Sequence, residues 1–241
     1  MATPNLTLFA ASAAHLLDHL RALHITVPLV TEGRRKEHRE QYMMARFLAT
    51  AAKTDKIKFP LNLVHGDRPD FVLGFGDSEV GIECVEAVPE ELYEIEILRE
   101  TQYPEALNSG QKFYPGESAF TWNEKHLIAS GSISAHPWMP KAAKQNWIAA
   151  MVHCINGKTE KLRQDNYSSQ ATMWLLIQDE WPTSIRFYSA QLCEAAFECA
   201  NFLIPLFVAP CFQAIFIASG NHLICYENGQ VNVCEICDLW Q

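Results

Sequence analysis

The sequence predicts an α/β fold, a mixed sheet flanked by helices, on three observations. Residues 71–75 and 80–85 are apolar, partly β-branched runs separated by Gly76-Asp77-Ser78, the pattern of a hairpin. Segments with helical apolar spacing precede and follow that hairpin. Beyond residue 140, helix-like and strand-like stretches alternate. Helices laid on a sheet let each such element bury its apolar face.

In chain order, residues 5–23 read as a helix with Leu8, Phe9, Leu16, Leu17, Leu20 and Leu23 at helical spacing. Residues 25–30 are apolar but interrupted by Pro28. A second helix is predicted over 33–53, with Met44, Phe47, Leu48 and Ala51 as its apolar stripe. After the hairpin, Pro89, Glu90 and Glu91 open a helix through about Tyr103, because proline and acidic residues suit a first turn. Residues 104–138, rich in Gly, Pro, Ser and Asn, read as a long irregular insertion. A helix over 140–163 follows, with Trp147, Ile148, Met151, Val152, Ile155 and Leu162 on its apolar side. Then come a buried strand (171–178), a helix (189–202), a second buried strand (212–218) and a hairpin around Asn228-Gly229. With no repeat or low-complexity tract, the expectation is a single α/β domain over 1–241. N-terminal helices occupy 1–55, and a core at about 37–103 is completed by 140–241.

A chain of 241 residues buries a substantial core without covalent staples. No apolar run reaches the roughly 18 residues of a membrane span. The longest, 202–210, is broken by Pro205 and Pro210. The N-terminus MATPNLTLFA lacks a basic region followed by an apolar stretch, so the expectation is a cytoplasmic protein without a membrane partner. Eight cysteines are then expected to be reduced. Cys234 and Cys237 alone have metal-like spacing; a structural zinc needs four ligands, and Cys193, Cys199, Cys211 and Cys225 are poorly spaced to complete it.

The net charge of −9 argues against broad, non-specific nucleic-acid binding but allows a local basic surface. Arg34, Arg35, Lys36, His38 and Arg39 form one such cluster, readable as phosphate contacts or as a solvated helix start. Lys141, Lys144, Lys158, Lys161 and Arg163 read as the solvent face of their helix. Trp122 and Trp138 stand in the long insertion, where burial and base stacking are the two readings. There is no HExxH, GxSxG, P-loop or GxGxxG pattern.

The informative stretch is RPDFVLGFGDSEVGIECVEA. Asp70 precedes one strand of the hairpin and Glu83 lies within the next, so their carboxylates can converge. Glu83 interrupts an apolar run, which is costly unless it is paired, coordinates metal, or sits on an exposed edge. Carboxylate oxygens suit Mg²⁺, and such an ion polarises a phosphate and activates a water.

Pro69-Asp70, twelve intervening residues, then Glu83 resembles the PD-(D/E)xK nuclease superfamily. The resemblance implies a restriction-endonuclease-like mixed sheet flanked by helices, with Mg²⁺ or Mn²⁺ held between Asp70 and Glu83. An upstream helix often adds a glutamate. Glu40 is the preferred residue here and Glu37 the second, both on the stripe of Met44, Phe47 and Ala51; the alternative is surface pairing with Arg34, Lys36 or Arg39. The implied catalytic and metal-binding set is thus Asp70, Glu83 and Glu40.

The family's lysine belongs two residues after the glutamate, where this chain has Val85. Either the amine comes from another element, with Lys53, Lys56, Lys58 and Lys112 as candidates, or the site is degenerate. Glu86 faces away by strand alternation unless the strand bends at its end, and His65 is the only histidine near the site in sequence. The resemblance therefore implies a metal-dependent nuclease hydrolysing phosphodiester bonds of DNA. Its alternative is a catalytically degenerate binding or regulatory module of the same fold. The implied partner is nucleic acid, DNA rather than RNA, with a homodimer as an arrangement to test.

Overall fold

The computed structural model describes residues 6–54, 56–106, 112–117, 120–133, 139–164, 172–183 and 211–240. Among these, eight strands form one mixed sheet whose spatial order follows the chain. Strands β1 (Leu8–Ala10), β2 (Leu61–His65), β3 (Phe71–Phe75) and β4 (Ser78–Ala87) pair antiparallel in succession. Strand β5 (Met173–Asp179) runs parallel to β4, and β6 (Ala214–Ser219) parallel to β5. Strands β7 (His222–Glu227) and β8 (Gln230–Glu235) return antiparallel. The helices are α1 (Ala13–Leu23), α2 (Lys36–Ala51), α3 (Leu92–Gln102), α4 (Trp122–Ala129) and α5 (Pro140–Arg163).

The two sheet faces carry separate cores. Helix α2 covers one of them: the Phe47 ring lies 4.8 Å from that of Phe216 and 6.2 Å from that of Trp174. Ile82 and Cys84 of β4 belong to this core. Helix α5 covers the opposite face through Trp147, Met151 and Ile155, which join Leu175, Ile177 and Ile215. Strand β5, with a parallel neighbour and a packed face on each side, is apolar nearly throughout, as a doubly covered strand must be. A third, smaller core joins α3 and α4 through Ile95, Leu98 and Ile128.

The hairpin turns follow from local chemistry. Gly76 has φ +60° at the first central position of the β3–β4 turn, a conformation that glycine adopts without steric cost. Asn228 and Gly229 have φ 52° and 76°, the paired left-handed values of a two-residue hairpin turn.

Several expectations are corrected. Residues 5–23 are not one helix: Leu8–Ala10 is a strand, and Ser12 then caps α1 by accepting from the His15 N–H at 3.2 Å. Strand β2 was not expected. Helix α3 begins at Leu92, because Pro89 opens a turn whose carbonyl accepts from the Leu92 N–H. The stretch 104–138 is not wholly irregular, since it contains α4. Thr121 and Glu124 cap that helix reciprocally, with the Thr121 N–H donating to Glu124 at 2.7 Å. The helix expected at 189–202, the run 202–210, Trp138, Cys193 and Cys199 lie outside the described residues. No described helix is long and apolar enough to cross a membrane.

Candidate functional site

Antiparallel pairing of β3 with β4 sets Phe71 opposite Ile82. Continuing that register by one residue sets Asp70 opposite Glu83. Ile82 and Cys84 point to the α2 face and Val85 and Ala87 to the α5 face, so alternation turns Glu83 toward α5. The Asp70 carboxylate is fixed by the Cys84 N–H, which donates to Oδ2 at 2.7 Å. Both side chains are buried, so Glu83 is not on an exposed edge.

The amine that reaches them comes from α5. Lys158 Nζ lies 2.6 Å from Glu83 Oε2 and 3.4 Å from Asp70 Oδ2. This lysine follows Ile155 by three residues and precedes Leu162 by four, so it stands on the buried stripe of α5 and not on its solvent face. A side chain at position 85 would rise from the same face that α5 covers. Lys158 therefore delivers its ammonium to the face on which a lysine two residues after Glu83 would stand. Among the four lysines expected to supply it, Lys56 instead pairs with Glu227 at 2.5 Å, on a distant strand.

Helix α2 supplies the other half of the site. Glu40 is buried while Glu37 is exposed, which decides between the two helix glutamates. Lys36 Nζ bridges Glu40 Oε1 at 2.5 Å and Asp70 Oδ1 at 3.1 Å. His65, stacked on Phe71, brings Nε2 to 3.6 Å from Glu40 Oε2. Glu40, Asp70, Glu83 and Lys158, all largely buried, thus form one ionic network with the exposed Lys36, and His65 lies beside it.

The electrostatics follow from this packing. For Asp70, burial works to raise the pKa, but Lys158, the Cys84 N–H and Lys36 together hold it below the usual value. Glu40 is pushed up, by burial first and by the Asp70 charge as well, against the opposing pull of Lys36. Burial works to lower both lysines, and the facing carboxylates overcome it and raise them. Glu83 Oε1 is buried without a hydrogen-bond partner among the described residues. Such an orphaned carboxylate oxygen is an open acceptor position for a cation or a proton donor. No group of three His, Cys, Asp or Glu side chains among the described residues is arranged to hold a metal ion, Cys234 and Cys237 included.

Other expected features fall elsewhere. Glu86 pairs with Arg39 on the α2 face and takes no part in the network. Arg34 is spent on Glu96 at 3.3 Å and on the Pro28 carbonyl at 2.8 Å, so much of the early basic cluster serves α2 and its neighbours. A cleft of about 400 Å³ opens beside Lys158, walled by Arg39, Val85, Tyr93, His153 and Lys161. Trp122 is 61% exposed on α4, whereas Trp147 and Trp174 are core residues.

Two carboxyls outside the network set a pH dependence. Burial pushes Glu86 and Asp179 each up to about 6, although Asp179 accepts from Ser219, Trp147 and Trp181. Both hold a proton more tightly folded than unfolded. The stability they add is complete below about pH 4 and is lost as pH rises through about 6. The thermal midpoint is therefore expected to fall between pH 5 and 7.5, by an amount reflecting roughly 2–3 kcal/mol. A scanning-calorimetry series that is flat over that interval would contradict this assignment.

No protein-family model matches the chain, and no curated protein or solved structure matches it either.

Proposed function

We propose that this chain is a metal-dependent nuclease of restriction-endonuclease-like fold that hydrolyses phosphodiester bonds of DNA. The observation that carries the reading is the Lys158 ammonium, 2.6 Å from Glu83 and 3.4 Å from Asp70, where the sequence pattern has Val85. A carboxylate just before β3, another within its partner β4, a helix glutamate and an inward lysine are the parts that metal-assisted phosphodiester hydrolysis needs.

The donor set has the oxygen chemistry of a hard divalent ion, although the described side chains form no group arranged to hold one. Asp70, Glu83 and Glu40 offer only carboxylate oxygens, and Glu83 Oε1 lacks another partner. Mg²⁺ or Mn²⁺ held there would supply Lewis-acid polarisation of the phosphate and an activated water. Lys158 lies at the cleft, where its charge stabilises negative charge developing on a phosphoryl oxygen. The Cys84 N–H keeps the Asp70 carboxylate from rotating away from its partners. Lys161 and His153 on the cleft wall can contact flanking phosphates.

Asp70→Ala and Glu83→Ala are each expected to remove Mn²⁺-dependent cleavage of a DNA substrate by the full chain, by about a hundredfold or more. Normal cleavage by both variants, or no cleavage of DNA or RNA by the wild type with Mg²⁺ or Mn²⁺, sinks the proposal.

A second reading is a non-catalytic binding module. It is favoured by the two lysines that already neutralise the carboxylates. Calorimetry separates the two readings: DNA binding without Mn²⁺ binding selects the module.

A further inference from the structure

We propose that the cavity at the carboxyl ends of β4 and β5 binds an uncharged amino-substituted nitrogen heterocycle, of the kind carried by adenine and cytosine nucleosides. Asp70, Glu83, Glu40 and Lys158 do not line this cavity, so the inference does not rest on the nuclease reading.

The cavity holds about 570 Å³, within the roughly 300–1,000 Å³ of small-molecule sites. Two parallel strands reach it at their ends. Glu86 and Gln178 are register partners on β4 and β5, and both line it. In open α/β sheets, ligands bind outside the carboxyl ends of the strands. Helix α2 adds Arg39 and Tyr42 to the walls, and the segment after β8 adds Trp240.

Three of these side chains carry a polar atom without a partner. Gln178 is only 9% exposed; its Nε2 donates to Glu180 at 2.8 Å, while its Oε1 is buried and unbonded. Arg39 Nε and Trp240 Nε1 are also buried and unbonded among the described residues. Eight such atoms occur among the described residues, and three of them belong to the walls of this one cavity. A buried polar atom left unmet is costly, so a ligand that meets these atoms recovers that cost.

The atoms specify the ligand. Gln178 Oε1 accepts, whereas Arg39 Nε–H and Trp240 Nε1–H donate. An amino group next to a ring nitrogen presents the matching donor and acceptor on one rigid frame. The rings of Tyr42 and Trp240, with centroids 6.0 Å apart, form an aromatic wall against which a planar heterocycle stacks. Charge narrows the class further. Arg34 pairs with Glu96, Arg39 with Glu86 and Arg46 with Asp238, which leaves Glu180 on the wall without a cation among the described residues. Surplus negative charge repels a phosphate or carboxylate and tolerates a neutral base.

The test is a calorimetric titration of the full chain with adenosine, cytidine, purine riboside, adenosine monophosphate and single-stranded oligo(dA). Adenosine or cytidine is expected to bind with a Kd below about 1 mM and to raise the melting temperature. Purine riboside, which lacks the amino donor, should bind at least about tenfold more weakly than adenosine, because Gln178 Oε1 then stays unpaired. Gln178→Met and Trp240→Leu should each weaken the binding at least about tenfold. Trp240→Phe, which keeps a ring and loses the N–H, repeats the comparison should the leucine variant fold poorly. Absence of binding by both nucleosides at millimolar concentration overturns the inference. Equal affinity for adenosine and purine riboside, or equal affinity of the wild type and the Gln178 and Trp240 variants, does so as well. Tighter binding of the monophosphate or of oligo(dA) than of adenosine overturns the assignment to an uncharged ligand.

Discussion

If the chain is the nuclease proposed above, Lys158→Met is expected to lower its DNA cleavage sharply, and in any case to destabilise the fold by about 3–5 kcal/mol, the cost of leaving a buried charge without its partner. Glu83 is 1% exposed and has no alternative cation within its own elements, since Lys36 reaches only Glu40 and Asp70. Urea unfolding at pH 7 measures the loss, and adding Glu83→Gln should recover a large part of it. Cleavage should fall by about 10²–10³-fold, the scale for removing one preorganised group that meets developing charge. The decisive variant places the amine elsewhere. Val85→Lys in the Lys158→Met background starts from the same sheet face and borders the same cleft. It is expected to recover activity at least about tenfold, and no recovery together with a restored fold would show that the amine's origin on α5 matters in itself.

The second large effect acts at a distance. Phe47→Ala is expected to cost about 3–5 kcal/mol, because a ring packed against Phe216 and Trp174 leaves a cavity that rigid neighbours fill poorly. For a chain of this length that lowers the melting temperature by roughly 10 °C. On the nuclease reading, Mn²⁺-dependent cleavage should fall with it, since Phe47 seats the helix that carries Glu40. Unchanged stability in differential scanning calorimetry would mean that α2 is held by something other than this aromatic contact.

The site was legible where its geometry is local. Asp70 and Glu83 meet through a hairpin whose turn and strands can be read residue by residue. Glu40 was legible from its place on the apolar stripe of α2. Lys158 was not, although its signal existed: a lysine three residues after Ile155 and seven after Met151 interrupts a buried stripe, as Glu83 interrupts a buried strand. Two opposite charges, each set in an apolar run, are candidates for one another. What the pattern does not contain is that α5 lies over β4, a fact of long-range packing. Strand β1 was hidden because three residues, Leu8 to Ala10, also fit the helical spacing that follows them. Helix α4 was signalled by Thr121 and Glu124 at capping-box spacing inside a stretch whose composition suggested a loop.

The twelve residues between Asp70 and Glu83 divide as five in β3, two in the turn and five in β4. The separation of the two acids along the chain is therefore a doubled strand length plus a turn, and its parity is fixed. Lengthening both arms of the hairpin by one residue moves the acids outward together and keeps them opposed. A single residue added at Gly76 or Asp77, at the far end of the ladder from the chemistry, offsets the two arms and carries Glu83 to the face of Ile82 and Cys84. The carboxylate pair is in this sense metered from its opposite end. Among chains that share this hairpin, an even count between the acids is compatible with the site, and an odd count calls for a bulge.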